Sequence, residues 1–146
     1  MMELKLFKKT IGDFLIAKGF SKKGTFYYLI FQDIIIAIGL QKSNFSNGYY
    51  VNIGYIISEL NQNRLTPRDV DGDIRARFGI EVEGKRADLF DLDTLSEDNL
   101  KSTLEENIKR YVDSVTSVEK LRLLLQENPV MLYQTRLVAR QLLGFE

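Results

Sequence analysis

The chain has 146 residues, 20 Lys plus Arg against 20 Asp plus Glu, and no Cys, His or Trp. The missing Cys and His exclude disulfides, thiolate nucleophiles, Cys- or His-ligated metals and Ser-His-Asp or Cys-His catalysis within this chain. What remains for chemistry is carboxylate, Lys or Tyr groups, and this tilts the reading away from an enzyme without deciding it.

The length fits one domain over 1–146, and such a chain buries roughly 68% of its unfolded surface, enough to fold without a metal or cofactor. Lysines and Asp13 interrupt the first twenty residues, so no export-type apolar segment is read there. No run approaches the roughly 20 apolar residues of a membrane span. The expectation is a cytoplasmic protein with no membrane contact. Residues 1–50 carry a net charge of +4, residues 51–100 of −5 and residues 101–146 of +1. A nucleic-acid protein should show a dominant basic face, so no nucleic-acid partner is expected.

Leu4, Phe7, Ile11, Phe14 and Leu15 recur at helical spacing, which predicts a helix over about 3–18, closed by Gly19 with Phe20 as hydrophobic cap. Ser21 to Thr25 reads as a turn. Three strands are predicted next: Phe26–Phe31, Ile34–Ser43 and Tyr49–Ile57. Alternation puts Ile34, Ile36, Ile38 and Leu40 on one face of the second, and Tyr49, Val51, Ile53, Tyr55 and Ile57 on one face of the third. If both sets face the core, Leu40 opposes Val51 and Ile38 opposes Ile53; a one-residue slip would turn one set to solvent.

Residues 58–73 read as a connection, with Thr66-Pro67 resembling the start of a helical turn. Alternation from Ile74 to Val82 predicts one half-buried strand, and a short strand is placed near Ala87–Leu92. The rest is helical. Leu100, Leu104, Ile108, Tyr111 and Val115 form a stripe with Thr94 or Ser96 as N-cap, and Val118, Leu121 and Leu125 continue it after a kink at Thr116-Ser117. Asn128-Pro129 reads as the start of a last helix ending at Gly144. The expected class is α+β: an antiparallel sheet of four to five strands, with an N-terminal helix and two to three C-terminal helices packed on one face.

A sequence resemblance rests on ordered pieces: a helix ending in Gly19-Phe20, then Gln41-Lys42-Ser43, then Val51-Asn52-Ile53-Gly54, then Arg75-Ala76-Arg77. In this order they resemble the bacterial family of domains of unknown function numbered 4304. The pieces span about residues 4–95, leaving 96–144 as a helical extension. The resemblance implies a fold and a bacterial origin, and no established activity. Many family members carry Trp or Cys near the Arg-x-Arg strand, and this chain has neither. The missing catalytic inventory and the bipolar charge make a non-enzymatic, protein-binding module the favoured functional expectation. Related small α+β bacterial domains often occur in toxin–immunity loci, and by that analogy alone an immunity-type inhibitor is one form of it.

Four constellations can carry chemistry. Gln41, Asn52, Arg75 and Arg77 fall on the sheet face away from the core, around the small residues Ala37, Gly39 and Gly54. Paired Arg forks suit carboxylate or phosphate recognition, so an anionic ligand site, or an enzyme site, is the alternative functional reading; a solvated face with local ion pairs is the plainer one. Asp69-Val70-Asp71-Gly72-Asp73 resembles the start of a calcium loop, but Ile74 and Ile80 stand where such a loop needs Gly and Glu, so no metal is expected. The acidic run containing Asp88, Asp91 and Asp93 is a candidate surface for another protein, against a simple acidic loop leading to a helix N-terminus. Lys22-Lys23-Gly24 beside aromatic residues is too small a patch for nucleic acid. No phosphate-loop or dinucleotide fingerprint is present.

Overall fold

A computed structural model describes residues 1–61 and 72–145. The expected turn at Thr66-Pro67 lies outside these residues, as do Asp69 and Asp71. The elements are α1 (Leu4–Ala17), β1 (Ser21–Lys23), β2 (Phe26–Ile30), β3 (Ile34–Lys42), β4 (Gly48–Ile57), β5 (Ile74–Arg77), β6 (Ile80–Val82), β7 (Lys85–Ala87), β8 (Leu89–Asp91), α2 (Glu97–Ile108), α3 (Val118–Glu127) and α4 (Leu137–Leu143). The class is α+β.

Helix α1 forms because Phe7, Ile11 and Leu15, one helical turn apart, are each fully buried. It stops at Gly19, whose φ of 99° only glycine adopts cheaply. The Gly19 N–H donates to the Ile16 carbonyl and the Phe20 N–H to the Leu15 carbonyl, closing a Schellman motif over the core.

The main sheet is antiparallel with six strands in the order β1-β2-β3-β4-β5, and β8 also pairs with β4. The β3–β4 register is the one the pleat requires: Leu40 opposes Val51 and Ile38 opposes Ile53. Residues 21–23 extend the sheet as β1 rather than forming a turn, which sequence periodicity could not signal because all three side chains are exposed.

The expected single strand from Ile74 to Val82 is two strands. β5 pairs with β4 at Asn52–Tyr55, while β8 takes the same edge of β4 at Gly48–Tyr50. Between them the chain leaves the sheet as the β6–β7 hairpin. The exit is held by Asn107 of α2. Its Nδ2 donates to the Gly79 carbonyl at 2.7 Å and its Oδ1 accepts the Gly79 N–H at 2.9 Å, replacing a strand partner with a side-chain amide.

The C-terminal half follows its caps. Ser96 Oγ accepts the Asn99 N–H and starts α2, with Glu97 and Asp98 in its first turn. α2 ends in a π-turn at Lys109–Asp113, and the Tyr111 carbonyl there accepts the buried Tyr55 hydroxyl at 2.6 Å. Ser117 caps a new helix, so the expected kink is a full break. The last helix does not begin at Asn128-Pro129. Residues Pro129–Gln134 form a 3₁₀ turn, Thr135 is extended and bridges Ile74 of β5, and only then does α4 begin. That bridge draws the backbone out of helical geometry. Gly144, at φ 84°, ends α4 as expected.

One core joins α1, α2 and α3 to the β3–β4 face bearing Ile36, Ile38, Val51, Ile53 and Tyr55. No helix of the described residues is long and apolar enough to cross a membrane.

Candidate functional site

The outer face of the sheet divides into two halves. At one end Tyr28, Ala37 and Ile56 form a small buried cluster with Phe26 and Ile35, so Ala37, one of the three small residues, is covered. At the other end Gln41 pairs across from Tyr50, Gly39 from Asn52, and Arg77 from Asn52, which gathers the polar side chains.

Arg77 is held on every side. Its Nε donates to Asn52 Oδ1 at 3.0 Å, its NH2 to Gln41 Oε1 at 3.3 Å and its NH1 to Asp88 Oδ2 at 3.3 Å. Its guanidinium lies 3.9 Å from the centre of the Tyr50 ring, within cation–π range. Asn52 Nδ2 donates in turn to Gln41 Oε1 at 2.9 Å. Arg75, two residues earlier on the same face, is exposed and makes no side-chain hydrogen bond or ion pair with the described residues.

All four sequence-predicted residues, Gln41, Asn52, Arg75 and Arg77, line one depression of about 590 Å³. Because β5 is an edge strand, residues from both sheet faces reach it: Ile53 and Ala76 from the core face, the two arginines from the outer face. Asp88 stands at its margin. A further wall comes from the 3₁₀ turn, through Val130, Met131 and Gln134, and the π-turn adds Tyr111. Sequence reading missed that wall. Its residues lie more than fifty positions from β5 and reach it through the Ile74–Thr135 bridge, the Arg136 N–H to Asp73 carbonyl bond and the Arg136–Asp73 ion pair.

The acidic candidates each have internal contacts. Asp88 pairs with Arg77, Asp91 Oδ1 accepts the Asp93 N–H, and Asp93 accepts Asn47 Nδ2 at 3.0 Å. Asp73 is fully buried. Its carboxylate accepts the Ile57 N–H, Asn61 Nδ2 and Arg136 NH1, which makes it a structural hub. Among the described residues no group of three or more acidic side chains is placed to hold a metal.

Burial pushes the Tyr55 hydroxyl well above the usual tyrosine range, reinforced by Tyr111 and opposed by Arg110. It sits in the core as a hydrogen-bond donor, away from the depression's lining. The depression's polar lining is therefore two guanidinium groups, the amides of Gln41, Asn52 and Gln134, the Asp88 carboxylate and Tyr111.

Residues 11–117 match the family described as a domain of unknown function (DUF4304). The chain belongs to the DUF4304 family. The match takes in α2 and the π-turn, beyond the stretch spanned by the sequence motifs, and ends where Ser117 caps α3. The 3₁₀ wall of the depression thus lies outside the DUF4304 match. No curated protein and no solved structure matches the chain.

Proposed function

We propose that this DUF4304 protein is a non-enzymatic binding protein that holds an anionic group of its ligand in the β5 depression. One observation carries the reading: Arg75 presents a guanidinium there that makes no side-chain hydrogen bond or ion pair with the described residues, beside an Arg77 each of whose nitrogens already has an acceptor. A charged donor fork with no partner among the described residues, set in a concavity of ligand size, favours an incoming anion over an internal contact. The lining supports holding rather than turnover, because its carboxylate, Asp88, is already tied to Arg77 and its guanidinium and amide groups bind charge without taking part in proton transfer. The anion can be carried by another protein, and an immunity-type inhibitor is one such case.

Titration of ¹⁵N-labelled protein with acetate and with inorganic phosphate tests this. Saturable shifts at Arg75, Val130 and Gln134, lost in Arg75→Ala, are expected. Shifts absent from those residues, or unchanged in the variant, would remove the reading.

A further inference from the structure

Resting on that reading, we infer that the anion is a single carboxylate carried on an apolar body. Three features of the depression select it. The first is charge. Arg77 is balanced by Asp88 at 3.3 Å, so among the described lining residues one positive group, Arg75, is left without a counter-charge. A monoanion neutralises it, whereas a phosphate dianion would bring excess negative charge next to Asp88.

The second is shape at the donor. One guanidinium offers two parallel N–H bonds, which matches the two oxygens of a planar carboxylate. Phosphate recognition ordinarily draws on several donors, and here the second arginine is committed to Asn52, Gln41 and Asp88.

The third is the apolar part of the same lining. Val130 is 69% exposed although it lines a concavity, and Met131 and Ala76 continue the apolar surface. In a 3₁₀ turn residues three apart share a side, so Tyr133, 86% exposed, extends the Val130 edge, while Gln134 follows Met131. A ligand can therefore set its anion on Arg75 and lay carbon against Val130, Met131 and Ala76, with the amide of Gln134 beside them. Two sources share this chemistry, a free apolar acid and the carboxyl terminus of a partner protein ending in an apolar residue.

The test is calorimetric titration of the full chain with five probes: inorganic phosphate, acetate, 4-methylpentanoate, N-acetyl-leucine and the neutral N-acetyl-leucinamide. The two apolar carboxylates should bind about tenfold or more tighter than acetate, phosphate and the neutral amide. Arg75→Ala should erase that preference, and Arg75→Lys, which keeps charge but not the fork, should recover only part of it. Preference for N-acetyl-leucine over 4-methylpentanoate would assign the source to a chain terminus, and the reverse to a free acid; both support the inference. Phosphate binding as tightly as the apolar acids through Arg75 would overturn the carboxylate assignment while leaving anion binding intact. Absence of any Arg75-dependent binding would overturn both.

Discussion

Arg75 and Arg77 are two residues apart, on one strand and one face, yet they differ in what they do. Arg77 joins Gln41, Asn52, Tyr50 and Asp88, and its removal strands several acceptors. Arg77→Ala should cost about 1 kcal/mol, the value discounted because both members of the Asp88 pair are more than a third exposed. Arg75→Ala should change stability by less than about 0.5 kcal/mol and act on binding alone. Denaturant unfolding of the two variants separates a structural from a binding arginine. At Asp73 the stakes are higher. Alanine there orphans the buried Ile57 N–H and strips Asn61 and Arg136 of their acceptor, at about 3 kcal/mol by the same measurement.

Tyr55 gives the residue scale its pH dependence. Its folded-state pKa is raised, above an unfolded value of about 10. Its contribution is then complete below that unfolded value and is lost as pH rises through the folded one. Tyr55→Phe should cost about 1–2 kcal/mol at pH 7, since the Tyr111 carbonyl loses its donor, and should flatten the alkaline loss of stability. Unfolding curves at pH 7 and above pH 10 check the sign: a variant that loses as much stability as the wild type on moving to alkali would refute it.

Among the elements, the split of β4's outer edge between β5 and β8 decides the architecture. It depends on close approach at Gly48, where a Cβ would stand 2.8 Å from Leu89 and 3.1 Å from the Phe90 carbonyl. At Gly79, at the exit from β5, the three atoms nearest to an added Cβ all belong to the guanidinium of Arg86, the far end of an exposed, flexible side chain. Gly48→Ala should therefore lower the melting temperature more than Gly79→Ala, because backbone cannot yield as an arginine can. Asn107→Ala should cost about 2 kcal/mol by orphaning both the N–H and the carbonyl of Gly79.

The same elements show where sequence reasoning succeeds and stops. Pleat alternation together with the short connecting loop selects the β3–β4 register, because a one-residue slip would turn either Ile36 or Tyr55 to solvent and a longer slip does not suit the loop. The break at Gly79 was invisible, since apolar alternation runs unbroken from Ile74 to Val82 and the side chain that ends the strand, Asn107, is 28 residues away. β1 was missed for the opposite reason: Ser21, Lys22 and Lys23 have no apolar period to read.

Across the molecule, the depression is assembled from strands within the DUF4304 match and a C-terminal turn beyond it. Local pattern placed Gln41, Asn52, Arg75 and Arg77 on a shared face. It could not rank the two arginines, because Asp88 reaches Arg77 only after the chain has gone out through the β6–β7 hairpin and returned along β4. Nor could it supply the wall of Val130, Met131 and Gln134, which depends on the Thr135 bridge. The central claim is that one arginine waits for a ligand while its neighbour is already engaged. The most direct measurement follows the side-chain Nε–H resonances of Arg75 and Arg77 during titration with N-acetyl-leucine. A saturable shift at Arg75, with Arg77 held near its starting position by Asn52, is the predicted result; movement at Arg77 alone, or at neither, would contradict it.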